Sequence, residues 1–271
     1  MNAIIYIYVF LIGIVFGSFF TLAVYRIPKG QTITHERSYC PKCNHKLSFW
    51  DMIPLFSYIF LGGRCRYCKE KIRPRYFLLE LFAGIVFVLF AISIKLNIFN
   101  LNAQILTYFI FGLLYIASLF IISGIDKENV QVPNQILLFL TIVETIYIIY
   151  LYIVEKANIY TYVIYLILII LLNIINIVYF RKKVKDCYTI QILLLIINML
   201  LFTYEGCTFL TIEFTLLSIS IKLLIDKMRE KRIKYKKEDI NTKTNKIPFA
   251  FYLCVTNIIM LIWTNIIIFY F

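Results

Sequence analysis

Four cysteines stand in two pairs, Cys40 with Cys43 and Cys65 with Cys68. Each pair has the spacing C-x2-C, which lets a hairpin present two thiolates to one tetrahedral ion at about 2.3 Å. Two disulfides, or four unrelated small apolar residues, are the alternatives. The charge pattern described below indicates a cytosolic segment, where disulfides are rare. The four cysteines are therefore predicted to bind structural zinc or another thiophilic metal.

Two aspartates, Asp126 and Asp186, stand at the ends of long apolar stretches. Acidic side chains at the edge of a hydrocarbon layer are costly unless they are paired or used. Two carboxyls that meet at one depth share a proton, so that one can activate water and the other can polarise a peptide carbonyl. That chemistry is aspartyl peptide hydrolysis. The alternative for each is an ordinary interfacial aspartate, which the charge pattern alone favours.

Other polar residues fall inside the apolar stretches. Glu144 is nearest to the middle of its stretch, and the sequence gives it no partner. Asn173, Asn176 and Asn198 are predicted to form hydrogen bonds between helices, the commonest use of such side chains in membranes.

Composition indicates a membrane protein. Of the 271 residues 61% are hydrophobic and 16% are charged, and the mean hydropathy is +0.82. Soluble domains usually have about a quarter of their residues charged. Residues 1–25 carry no charged side chain, so they lack the positive start of a cleavable signal peptide and are expected to remain as a helix.

Eight mostly uncharged runs predict an all-α polytopic fold with about eight transmembrane helices. Basic residues then give the orientation, because 25 of the 28 fall in alternate loops. This asymmetry predicts an outside amino terminus, with the cysteines, Asp126 and Asp186 on the cytosolic side. The predicted spans are 3–24, 77–95, 104–124, 135–154, 160–180, 188–204, 207–226 and 248–270.

Three parts are predicted: a first transmembrane helix (1–25), a cytosolic four-cysteine zinc-binding insertion (26–76) and a transmembrane core (77–271). The net charge of +13 could suggest a nucleic-acid partner. However, the polybasic stretch 227–246 has no recognisable nucleic-acid-binding fold and is predicted to be a loop attracted to anionic lipid. Membrane lipid is therefore an expected partner, and nucleic acid is not.

Five features follow one another along nearly the whole chain. They are the segment Gly17–Pro28 at the end of the first helix, the cysteine tetrad, the segment Arg75–Leu81, Asp126 with Pro133 seven residues later, and Ile247–Phe249. This order resembles that of the type IV prepilin peptidases, which are membrane aspartyl peptidases of the GxGD type.

The resemblance implies an aspartyl endopeptidase of the bacterial inner membrane. Such an enzyme removes the leader from prepilin-like precursors at the cytosolic face, and many members then methylate the new amino terminus with S-adenosylmethionine. Asp126 and Asp186 would be the catalytic pair. The four cysteines would hold zinc in a module that shapes substrate entry.

The chain departs from the family pattern at two places. The family shows Gly-x-Gly-Asp, but this chain reads Lys183-Val184-Lys185-Asp186, and Thr21 stands where the family usually has asparagine. The first departure suggests a degenerate paralogue that binds pilin-type substrates or assembly partners without cutting them. A further alternative is a zinc-bearing membrane scaffold or small transporter, for which Glu144 is the only indication.

Overall fold

The computed structural model describes residues 2–33, 38–40, 42–97, 102–155, 160–181, 187–203, 205–235 and 247–270. This part of the chain is helical and contains no β-strand, apart from two isolated β-bridges. The predicted all-α class is confirmed. The α-helices are α1 (Asn2–Arg26), α2 (Phe56–Phe60), α3 (Arg75–Ser93), α4 (Ala103–Asn129), α5 (Asn134–Glu155), α6 (Tyr160–Arg181), α7 (Cys187–Phe202), α8 (Glu205–Tyr235) and α9 (Phe249–Tyr270).

Each predicted span coincides with one of the long helices. In the described part of the chain six of them, α1, α3, α4, α5, α8 and α9, are long and apolar enough to cross a membrane. The apolar stretches in α6 and α7 are shorter, Tyr162–Val178 and Tyr188–Phe202. A multi-pass membrane protein is therefore supported, whereas the number of eight crossings stays a prediction.

The polybasic stretch 227–246 begins as a helix and not as the predicted loop. Helix α8 continues to Tyr235, well past the predicted end of its span at residue 226. Lysine, arginine and glutamate are good helix formers, so a helix that leaves the hydrocarbon need not end at the first charge. Residues 236–246 lie outside the described residues.

The chain forms two compact units. One comprises Met1–Ile121 with Asn265–Phe271, and the other comprises Ile122–Thr264. The division predicted from sequence, at residues 25 and 76, rests on polarity and stays a prediction.

In the first unit, glycines let α1 and α3 approach closely. A Cβ atom added at Gly13 would lie 2.7 Å from the Cα atom of Gly84, and one added at Gly17 would lie 2.7 Å from the Cα atom of Glu80. Lipid tails are as apolar as leucine, so helices in membranes associate mainly through such close backbone packing. The Gly-x3-Gly pair on α1 therefore sets the separation of these two helices.

Aromatic rings fill the space beside this contact. Phe20 is almost fully buried and stacks on Phe120, with 5.7 Å between the ring centroids. The rings of Phe20 and Phe87 pack edge to face, with 6.5 Å between their centroids. The core of this unit therefore consists of interlocking rings from α1, α3 and α4.

In the second unit, polar side chains join the helices. The amide of Asn176 on α6 and that of Gln191 on α7 both donate to the side-chain oxygen of Asn134, at 3.1 and 2.9 Å. The hydroxyl of Thr141 donates to the side-chain oxygen of Asn198 at 2.9 Å. The expectation for Asn176 and Asn198 is confirmed, whereas Asn173 donates to a carbonyl of its own helix.

The close contact of α1 and α3 gives a test of the fold. Gly13→Ala should lower the midpoint of thermal unfolding in detergent, because the new methyl group meets backbone that cannot rotate away. Overpacking of this kind costs about 1–3 kcal/mol. The matched control is Gly206→Ala on α8, where the added Cβ has no heavy atom within 4 Å. Equal unfolding midpoints for the two variants would contradict the inferred packing.

Candidate functional site

The four predicted metal ligands come together. The Sγ atoms of Cys40, Cys43, Cys65 and Cys68 all lie within 4.8 Å of one another. The Sγ atoms of Cys40 and Cys68 are 3.8 Å apart, which matches the edge of about 3.8 Å that zinc–sulfur bonds of 2.3 Å give a tetrahedron. All four are free thiols, so the two disulfides considered as an alternative are not formed. The donor set and its spacing fit a structural zinc ion.

The two cysteine hairpins share one backbone geometry. In each, the residue four positions after the first cysteine donates its N–H to that cysteine's carbonyl: Asn44 to Cys40 at 2.8 Å and Lys69 to Cys65 at 3.0 Å. Asn44 and Lys69 both adopt left-handed conformations, with φ of 56° and 60°. This conformation turns the chain back on itself, so each hairpin directs both of its thiols to the same side.

The thiols of Cys40 and Cys68 have very different pKa values in the absence of a bound cation. Burial raises the pKa of Cys40, but backbone N–H groups of Cys43 and Lys42 outweigh it and lower the pKa to about 7. The backbone N–H of Glu70 lowers the pKa of Cys68, but loss of hydration and the neighbouring thiols outweigh that effect and raise it to about 11. A dication would remove this conflict, because metal ligation stabilises all four thiolates together.

Asp51 connects the second cysteine hairpin to the short helix Phe49–Met52. Its carboxylate accepts hydrogen bonds from the Nε atom of Arg66 at 2.5 Å and from the Ser48 hydroxyl at 2.8 Å. Burial would raise the pKa of this carboxyl, but the bonds from Arg66 and Ser48 outweigh burial and lower it. The carboxylate therefore fixes the short helix against the cysteine cluster.

Asp126 lies near the end of α4 and is fully buried. Its Oδ1 atom accepts a hydrogen bond from the Tyr188 hydroxyl at 2.8 Å, and its Oδ2 atom accepts one from the backbone N–H of Phe251 at 2.7 Å. The N–H of Ala250 donates to the same Tyr188 hydroxyl at 3.2 Å. One carboxylate thus joins the end of α4 to the beginnings of α7 and α9.

The geometry at α9 follows from the chemistry of helix ends. Helix α9 begins at Phe249, directly after Pro248, a residue well suited to a helix start. The first N–H groups of a helix have no partner within it and form a positive pole. Asp126, supplied by another helix, accepts from one of them and so caps α9.

The second predicted aspartate, Asp186, lies outside the described residues. Tyr188, two residues further along the chain, is described and contacts Asp126. Sequence reasoning did not single out Tyr188 or the N–H groups of α9. The segment Ile247–Phe249 was identified only as the start of a helix. Nearly every residue has a backbone N–H, so the sequence does not show which N–H donates to Asp126.

Two glutamates in the helices behave differently. Glu80 on α3 accepts the backbone N–H of Leu55 at 2.8 Å and so holds the segment that leads into α2. Glu144 on α5 is fully buried, and neither of its carboxyl oxygens has a hydrogen-bond partner among the described residues. An intramembrane carboxyl without partners is costly, and the sequence had already given Glu144 none.

Comparisons with known proteins find a family match in the amino-terminal part of the chain. Residues 11–94 match the model of the bacterial peptidase A24 N-terminal domain. This range contains most of α1, all four cysteines and α3. No solved structure is significantly similar to the chain.

Several proteins named "Prepilin leader peptidase/N-methyltransferase" are similar to this chain. The one from Klebsiella pneumoniae is 33% identical over 48% of this chain and 56% of the relative. The one from Vibrio cholerae is 36% identical over 48% of this chain and 52% of the relative. The one from Myxococcus xanthus is 41% identical over 30% of this chain and 24% of the relative. The matched part therefore spans about half the length, or less, of these relatives.

The cysteine cluster leads to a prediction about metal content. Cys40→Ser or Cys65→Ser should reduce the zinc that copurifies with the protein from about one ion per chain, because three thiolates and a hydroxyl make a weaker site. The measurement is elemental analysis of protein purified without chelator. Cys207→Ala, which removes a buried cysteine of α8, is the control and should keep its metal. Wild-type protein without bound metal would contradict the assignment.

Proposed function

Because the chain belongs to the type IV prepilin peptidase family, we propose that it is a membrane aspartyl endopeptidase. Its substrates are prepilin-like precursors, whose leaders it removes at the cytosolic face of the bacterial inner membrane. The observation that carries the proposal is the buried carboxylate of Asp126, held by the Tyr188 hydroxyl and the Phe251 N–H. A carboxylate held this firmly near the end of a membrane helix suits a catalytic group better than a solvated interfacial residue.

Asp126 and Asp186 form the catalytic pair in this proposal. An ionised carboxylate has about four lone-pair positions, and the described donors use one on each oxygen of Asp126. The remaining positions can accept a proton from water or face a second carboxyl. One aspartate then acts as the base towards the attacking water, and the other donates a hydrogen bond to the scissile carbonyl.

Tyr188 is a positioning residue in this mechanism. Its hydroxyl donates a hydrogen bond to Asp126 and accepts one from the N–H of Ala250. These two bonds fix the orientation of the hydroxyl. Rotation of the Asp126 carboxylate would break this bond as well as the bond from Phe251. The chain thereby keeps its catalytic oxygens in one geometry before the substrate binds.

The four cysteines would hold zinc as a structural ion. Zinc with four thiolate ligands has no open position for water, so its contribution is folding energy for a small polar module. The bacterial A24 domain match covers this module, which supports a role in the same activity. We infer that the module shapes the entry of the substrate.

Amino-terminal methylation is a second activity to test. The relatives' names pair the leader peptidase with an N-methyltransferase. S-adenosylmethionine would be the methyl donor. Mass spectrometry of a processed pilin reports both activities, because each added methyl group increases the mass of the new amino terminus by about 14 Da.

A non-cleaving paralogue is the main competing function. The stretch Lys183–Asp186 lacks both glycines of the family pattern, and only glycine adopts left-handed backbone without strain. Such a protein would bind a precursor and leave it intact. The scaffold or transporter alternative rests on Glu144 alone, which the aspartyl mechanism does not use.

The catalytic pair can be tested by substitution. Asp126→Asn and Asp186→Asn should each reduce leader removal on the order of 10²–10⁴-fold, because each loses its proton-transfer group while keeping its shape. The measurement is the rate of precursor cleavage by purified protein in lipid vesicles. Asp226→Asn changes another aspartate near the end of an apolar stretch and should cleave normally. Undiminished cleavage by both test variants would rule out the pair.

The positioning role of Tyr188 can be tested separately. Tyr188→Phe keeps the ring and loses the hydroxyl, so kcat should fall by roughly tenfold or more, since a hydrogen bond to a charged group contributes about 1.5–3 kcal/mol. KM should change little, because Tyr188 acts on Asp126 and not on the substrate. The control is Tyr165→Phe, which removes a hydroxyl bound to Glu205 at 2.6 Å. An effect on KM alone would assign Tyr188 to substrate binding.

A further inference from the structure

An exposed aromatic patch lies on the segment between α1 and α3. It is formed by Phe49 and Trp50 on the short helix Phe49–Met52 and by Phe56, Ile59 and Phe60 on α2. The exposed fractions are 71% for Phe49, 69% for Trp50 and 82% for Phe60. Contiguous apolar patches on soluble surfaces are uncommon and usually mark a binding surface. A groove of about 380 Å³ runs through it, with Trp50, Phe60 and Arg66 among its lining residues.

The patch lies at the level of a membrane helix. The N–H of Leu55, directly before α2, donates to the carboxylate of Glu80 at 2.8 Å. Glu80 is more than one turn inside α3, roughly 7.5 Å beyond its first residue at 1.5 Å per residue. The rings of Tyr58 and Phe77 stack at 5.2 Å and hold α2 beside the first turn of α3. Helix α2 therefore lies beside a spanning helix near one of its ends.

The conformation of Leu55 shows that this placement is enforced. Leu55 has φ of +61° and ψ of −52°, a backbone conformation that residues other than glycine rarely adopt. Such a conformation costs about 1–3 kcal/mol and persists only where neighbouring contacts hold it. The Glu80 carboxylate is one such contact. On the other side of the patch, Asp51 fixes the short helix to the cysteine hairpin.

The charge of this segment favours an anionic surface. Residues 26–76 contain eleven basic and three acidic residues. Basic residues near a membrane surface contribute about 1 kcal/mol each towards anionic lipid, and exposed tryptophan and phenylalanine prefer the boundary between headgroups and acyl chains. Exposed apolar side chains also occur at Leu78 and Phe82 on α3, the helix beside which α2 lies.

We propose that the aromatic patch inserts into the headgroup region of an anionic phospholipid bilayer, on the face where α1 ends and α3 begins. The cysteine module is then a membrane-anchored element whose height and tilt are fixed by lipid as well as by its two chain connections. Phe49, Trp50 and Phe60 enter the acyl-chain boundary, while exposed basic side chains such as Lys42 and Lys46 contact lipid phosphate.

The two tryptophans of the chain make a direct test possible. Trp263→Phe leaves Trp50 as the only tryptophan, and Trp50→Phe leaves Trp263, which is half exposed on the spanning helix α9. Each variant is reconstituted into phosphatidylglycerol–phosphatidylcholine vesicles whose acyl chains carry bromine at a shallow or a deep carbon. Bromine quenches tryptophan emission on contact, so the pair of lipids reports depth. Trp263 is the positive control for quenching by lipid.

Trp50 should be quenched more by shallow than by deep bromine, because a side chain at an interface enters the boundary between headgroups and acyl chains by about 5–10 Å. It should also be shielded from aqueous acrylamide, and this shielding should decrease in vesicles without phosphatidylglycerol. Trp50 that acrylamide quenches freely, and lipid bromine does not, would overturn the proposal. Lipid contact that appears only after a precursor peptide is added would also overturn it and would assign the patch to the peptide. None of these readings requires peptidase activity.

Discussion

Burial of one carboxylate in a helix bundle requires donors, and Asp126 shows how this chain supplies them. One donor is the hydroxyl of Tyr188 at the start of α7, and another is a first-turn N–H of α9. Each of these groups would itself be costly to leave unsatisfied away from water. The end of α4 and the starts of α7 and α9 therefore stabilise one another through a single acidic residue.

The other unit depends on a different constraint, the absence of side chains at Gly13 and Gly17. Close approach of α1 and α3 fixes where the first turns of α3 lie, and Glu80 on those turns then fixes the backbone at Leu55. The polar module is thus held at two points, by Glu80 near α2 and by Asp51 near the cysteines. Its position is set by carboxylates in both cases, because a carboxylate can satisfy several backbone and side-chain donors at once.

The sequence predicted the features that depend on a local pattern or on a fixed spacing of residues. Cysteine pairs and apolar runs are local patterns, so the tetrad and all the long helices were located from residue types. The end of α8 was misplaced, because charge marks the edge of the hydrocarbon and not the end of a helix. Tyr188 and the α9 N–H groups were missed, since their role depends on which helix ends meet, and Asp126 is over sixty residues from one and over a hundred from the other.

The described contacts separate the two halves of the catalytic hypothesis. Asp126 receives its donors from Tyr188, Phe251 and, through the tyrosine, Ala250. None of these contacts uses the segment Lys183–Asp186, where the chain departs from the Gly-x-Gly-Asp pattern. The described donors of Asp126 therefore lie outside the altered motif. In the proposed mechanism, the substitutions at Lys183 and Lys185 therefore bear on Asp186, whereas Tyr188 and Phe251 bear on Asp126, the other half of the pair.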